Sequence, residues 1–105
     1  MYLSSTGMAA EHRLTGPEIQ TFLQDHSFTG TDAGHAVQQS FQNSGATFYS
    51  VDGNQSQGLW QVRGDQYCSQ WPPHEGWACY GVSADEKTVT FISSDGTRYP
   101  MKRQD

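Results

Sequence analysis

The segment Gly58-Leu59-Trp60-Gln61-Val62-Arg63-Gly64-Asp65-Gln66-Tyr67-Cys68-Ser69-Gln70-Trp71-Pro72-Pro73-His74-Glu75-Gly76-Trp77-Ala78-Cys79-Tyr80-Gly81-Val82 decides how the chain folds. Gly64-Asp65 is a two-residue turn signal between runs of alternating polarity, and pairing outward from it sets Val62 opposite Tyr67 and Trp60 opposite Ser69. Pro72-Pro73-His74-Glu75 reads as the next turn. Pairing Trp71 with Gly76 then places Gln70 opposite Trp77, Ser69 opposite Ala78 and Cys68 opposite Cys79. Cross-strand neighbours stand about 4.5–5.5 Å apart at Cβ, close to what a disulfide requires. Cys68 and Cys79 are therefore expected to be joined, and closing so short a loop is worth about 3 kcal/mol in the chain-entropy account. The alternative is a pair of reduced core thiols in a cytosolic protein. Alternation gives this unit a core face with Trp60, Val62, Tyr67, Ala78, Tyr80 and Val82, continued by Val89 and Phe91. The other face carries Leu59, Gln61, Cys68, Gln70, Trp77 and Cys79. Its Leu59 and Trp77 call either for a cover or for a partner.

Working outward, turn residues recur every eight to twelve positions, as in an antiparallel all-β unit. The strands are expected near 27–31, 35–41, 46–51, 57–63, 66–71, 77–82, 88–93 and 97–101. Short links make sequential strands antiparallel neighbours, so the expected fold is mainly β: a meander of about eight strands forming a small barrel or a strongly bent sheet. One short helix precedes it. Thr15 and Glu18 have capping-box spacing, and Leu14 and Ile19 occupy the positions of a hydrophobic staple. The stripe Ile19, Phe22 and Leu23 suits a helix laid over the mouth or edge of the sheet, with the Leu59/Trp77 face as its expected seat. Residues 1–13 have no periodicity and read as a flexible leader or cloning remnant; residues 14–105 read as a single β-rich domain.

Composition narrows the function. Lys and Arg number 6 against 11 Asp and Glu, a formal charge of −5, and no basic run offers a track for nucleic acid. No stretch approaches the roughly 18 apolar residues of a membrane helix, so no membrane span is expected. Met1 to Ala10 has neither the basic nor the apolar part of a signal peptide. The chain is short of aliphatic residues but has Trp 3, Tyr 5 and Phe 5, so its core is expected to be built from rings.

No motif names a reaction. His12, His26, His35 and His74 lack metal-ligand spacing, although His26 and His35 fall at the two ends of one predicted hairpin. His74 and Glu75 lie on the Pro-Pro turn between Trp71 and Trp77, an acid–base pair beside aromatic platforms, but adjacent residues at a loop tip lack the facing geometry of general acid–base work. There is no GxSxG elbow and no phosphate-cradling glycine loop. Arg63-Gly64-Asp65 spells an adhesion tripeptide, yet Gly-Asp is also what a tight turn wants. No catalytic residue, metal or cofactor is assigned.

Leu14-Thr15-Gly16-Pro17-Glu18-Ile19, the run from Gly58 to Cys68, Trp71-Pro72-Pro73, Cys79-Tyr80-Gly81-Val82 and Asp95-Gly96-Thr97-Arg98-Tyr99 resemble a group of small exported proteobacterial proteins that carry domains of unknown function. The resemblance implies export and a β domain without an assigned activity. Gly58-Leu59-Trp60 also looks like the GxW signature of lipocalin-like barrels, a fold analogy only. The expected function is a non-enzymatic binding or inhibitor module of the periplasm or the secreted fraction. It would engage a protein or a small amphiphilic ligand in the envelope through a barrel mouth or an aromatic loop. Its candidate contact residues are Leu59, Trp71, His74, Glu75 and Trp77. The alternatives are a structural or assembly role in the cell envelope and, less favoured, a small hydrolase.

Overall fold

A computed structural model of the chain describes residues 11–104. The strand β1 (His12–Arg13) and the helix α1 (Gly16–Leu23) are followed by eight strands, β2 (His26–Asp32), β3 (His35–Phe41), β4 (Ala46–Val51), β5 (Asn54–Arg63), β6 (Gln66–Gln70), β7 (Trp77–Ala84), β8 (Thr88–Ile92) and β9 (Arg98–Gln104). From β2 to β9 each strand pairs antiparallel with the next, and β9 pairs with β2, so the meander closes into an eight-stranded barrel. The central register is the expected one: Val62 faces Tyr67, Trp60 faces Ser69, and Cys68 faces Cys79, to which it is joined by a disulfide. Met1 to Ala10, read as leader, lie outside the described residues. His12 and Arg13, read with them, instead form β1, which extends the sheet by pairing with Ala84 and Ser83 of β7.

Closure turns the core face inward and fills it with rings. Phe41 packs edge-on to Phe28, Trp60 and Tyr67 at centroid separations of 5.9, 5.4 and 5.5 Å. From there the contacts run from Tyr67 to Tyr80 and from Tyr80 to Tyr99 in one direction, and from Phe28 to Phe22 of α1 in the other. Ala78, expected in this core, is exposed, because its inward position falls at the rim of the barrel.

The helix forms where its signals predict. Thr15 caps it, with its hydroxyl accepting from the Glu18 N–H and the Glu18 carboxylate accepting from the Thr15 N–H in return. Its seat is not the expected one. Ile19 and Leu23 are completely buried within the core cluster, so α1 plugs one end of the barrel and does not cover the outer Leu59/Trp77 face. The reason is geometric: a closed sheet offers a convex outer surface and an open apolar end, and a narrow stripe buries more in the end. Fully burying an Ile or Leu side chain contributes about 1.5–3 kcal/mol, an upper estimate against a compact unfolded chain. Leu59 remains 43% exposed, while Trp77 lies under the Arg63 guanidinium at 5.0 Å.

The β5–β6 turn anchors the plug. The Asp65 carboxylate accepts from the Gly16 N–H at 2.7 Å, and a Cβ on Gly16 would stand 2.2 Å from the Gly64 carbonyl oxygen. The tripeptide Arg63-Gly64-Asp65 thus commits its carboxylate to the start of the helix.

Trp60 is buried and its indole N–H donates to the Gln42 carbonyl at 2.8 Å. Trp60→Ala should lower stability in urea unfolding by about 3–5 kcal/mol, through the cavity and the orphaned carbonyl together; a near-neutral result would contradict the inward placement of the ring.

Candidate functional site

The two ends of the barrel differ. One is stopped by α1; at the other, between the β2–β3, β4–β5, β6–β7 and β8–β9 turns, the interior opens into a cleft of about 300 Å³. Tyr49 and Trp71 wall one side, their centroids 6.0 Å apart, and Tyr80 and Tyr99 wall another at 6.3 Å. Val37, Phe91 and Met101 add apolar surface.

Two local features open this end. The β2–β9 ladder runs over Ser27–Gln104, Phe28–Arg103 and Thr29–Lys102 and then stops. Continued in the same register, it would set Thr31 against Pro100, whose ring nitrogen has no hydrogen to give. Thr31, Asp32, Tyr99 and Pro100 therefore line the cleft along a seam. The second feature is Gly58, at an inward position. A Cβ there would lie 2.6 Å from the Trp71 ring and equally close to the Gln70 carbonyl oxygen. Having none, Gly58 lets the indole fold into the mouth, where its N–H donates to Ser69 Oγ at 3.1 Å.

Below the rings lies a polar layer. The Gln39 side-chain amide donates to Thr47 Oγ1 and to the Tyr67 hydroxyl, both at 3.0 Å, and the Thr47 hydroxyl donates to the Ser40 carbonyl at 2.8 Å. Gln39 is only 6% exposed, and its carbonyl oxygen has no donor among the described residues. Burial is the main force on the neighbouring phenols. It pushes Tyr67 up to about 12, against hydrogen bonds from Ser69 and Gln39 that favour ionisation, and it raises Tyr80 and Tyr49. The Asp32 charge adds to the rise at Tyr49.

Of the five residues singled out from sequence, Trp71 alone lines the mouth. His74 and Glu75 are exposed on the turn, which is held by two bonds: the His74 backbone N–H donates to the Trp71 carbonyl at 2.9 Å, and the Gln70 side-chain amide Nε2 donates to the Glu75 carbonyl. Trp77 and Leu59 lie on the outer surface. His26 and His35 sit at opposite ends of the barrel, separated by the length of the first hairpin; His35 Nδ1 lies 2.6 Å from Asp52 Oδ2 on the rim. No group of three or more His, Cys, Asp or Glu among the described residues is placed to hold a metal. Asp32, Gln39, Tyr49 and Tyr99 were not among the sequence candidates. A signal existed for Gln39, a polar residue between Val37 and Phe41 on the inward-facing positions of its strand.

Neither a protein family, nor a curated protein, nor a solved structure matches the chain.

Gly58→Ala should force Trp71 out of the mouth, seen as a red shift of tryptophan emission and a weakened near-ultraviolet circular dichroism; unchanged spectra would mean that the indole is not seated against Gly58. In an alkaline titration followed by phenolate absorbance, Tyr67 should ionise last, at about 12. Because its folded value lies above the unfolded value of about 10, its contribution to stability is fully present below pH 10 and is lost as pH rises through the folded value. A single transition for all tyrosines near the ordinary value would overturn its burial.

Proposed function

We propose that the protein is a non-enzymatic binding module that takes a small amphiphilic ligand into the open end of its barrel and works outside the cytoplasm. The observation behind this reading is the contrast between the ends, one plugged by Ile19 and Leu23, the other a ring-lined cleft with a polar floor. Such a combination of apolar walls and a few placed polar groups is what small-molecule sites share. The Cys68–Cys79 disulfide supports an oxidising compartment. No helix among the described residues is long and apolar enough to cross a membrane.

A polarity-sensitive apolar dye such as aminoanthracene is a direct probe. Titration should show saturable one-to-one uptake with quenching of tryptophan emission. Trp71→Ala should weaken binding about tenfold, the worth of a well-placed aromatic contact, and Trp77→Ala should leave it unchanged. Unsaturable uptake, or equal losses in the two variants, would overturn the reading.

A further inference from the structure

The two ends of the barrel differ in charge balance: the half that carries α1 mixes its basic residues with Glu18, Asp25, Asp65, Asp85 and Glu86, whereas the mouth end is mostly acidic. Of the 6 Lys and Arg residues, Arg13, Arg63, Lys87, Lys102 and Arg103 belong to the half that carries α1. The mouth end has Arg98, whose guanidinium donates to both carboxylate oxygens of Glu11. Against it stand Asp32, Asp52, Glu75 and Asp95, in or beside the turns of that end. Most of these carboxylates have partners or face away from the cleft. Asp52 is matched with His35, Asp95 accepts from Ser93 and from the Thr97 N–H, and Glu75 is exposed on the Pro-Pro turn.

Asp32 is different. Alternation along β2 from buried Phe28 through Gly30 turns its side chain toward the barrel axis, and it lines the cleft. Among the described residues no hydrogen bond or ion pair reaches its carboxylate, and no Lys, Arg or His lines the cleft beside it. Deeper in, the Gln39 carbonyl also has no donor. Asp32 and Gln39 thus present pure acceptors to a guest. The same cleft is lined by the rings of Tyr49, Trp71, Tyr80 and Tyr99, whose negative π faces attract organic cations with about 0.5–2 kcal/mol each when well placed. The acidic rim would also raise the local concentration of a cation before it docks.

We infer that the guest is an organic cation, an amine or ammonium head held between Asp32 and the rim rings, with an apolar body directed down toward Phe91 and Met101. The inference rests on the reading of the mouth as a ligand site and names the class of ligand that site takes. An anionic amphiphile would bring its carboxylate against Asp32 with no basic side chain in the cleft to receive it.

The test is calorimetric titration of the full chain at neutral pH with phenylbutylamine, phenylbutanol and phenylbutanoate, which share one body and differ in head. The amine should bind about tenfold more tightly than the alcohol, the sum of a cation–π contact and a carboxylate partner, and the acid more weakly than either. High salt should close the gap between amine and alcohol. Asp32→Asn, which keeps the shape and the turn preference of the residue, should do the same by weakening the amine far more than the alcohol. An acid that binds as tightly as the amine, or an amine advantage insensitive to both salt and Asp32→Asn, overturns the inference while the mouth stands as a ligand site. Failure of all three compounds to bind overturns both.

Discussion

The structure depends on three residue pairs. Where β9 meets β2, through Ser27–Gln104, Phe28–Arg103 and Thr29–Lys102, a sheet becomes a barrel. Closure removes the unpaired edges that an open meander would carry and gives every strand a single interior to face. It is also incomplete: the ladder that closes the barrel ends before Pro100, and the seam left beyond it is one wall of the mouth. One run of residues thereby both shuts the sheet and leaves it a way in.

A closed interior has to be filled, and this chain fills it with rings. Phe41 is the hub, touching Phe28, Trp60, Tyr67 and Phe91. Toward the helix the rings are all hydrocarbon except for the Trp60 N–H, which has its carbonyl, so that end can be dry. Toward the mouth they become tyrosines, whose hydroxyls need water, a partner or a guest. The polar layer of Gln39, Thr47, Tyr67 and Ser69 marks the boundary. Such a network holds its members in one arrangement when satisfied, and the acceptor it leaves open to the cleft, the Gln39 carbonyl oxygen, is the group most able to discriminate between guests.

What could be read from the residues was local. The Gly64-Asp65 turn and the Pro-Pro turn fix register because side chains alternate with period two, and a slip of one residue would turn every core ring outward. From that followed the cysteine pairing and the inward placement of Trp60, Tyr67, Val82, Val89 and Phe91. The capping box located the helix for the same reason, since its signals lie within a few residues. The seat of the helix was not legible. It depends on Asp65, which is 49 residues away from Gly16, and on a closed end that exists only once β9 reaches β2. The mouth was hidden likewise: Asp32, Gln39, Tyr49 and Tyr99 come from four strands, and only closure gathers them. Trp71 was found because a local feature, the Pro-Pro turn, pointed to it, although Gly58 is what draws its ring inside.

The placement of the closing strand has a consequence for how the molecule forms. Contacts that join distant parts of a chain must first overcome the entropy of the loop between them, and folding slows accordingly. Here the helix is made early in the chain, yet its apolar stripe has no finished receptacle until β2, held open as an edge, captures the last strand. Until that capture the chain carries two unpaired strand edges and an unseated Ile19 and Leu23, the surfaces through which nascent β proteins stick to one another. Pairing of β9 with β2 is therefore a commitment step, and losses of soluble yield should concentrate in changes to its paired residues, Ser27 to Thr29 and Lys102 to Gln104, at the end of the barrel away from the mouth.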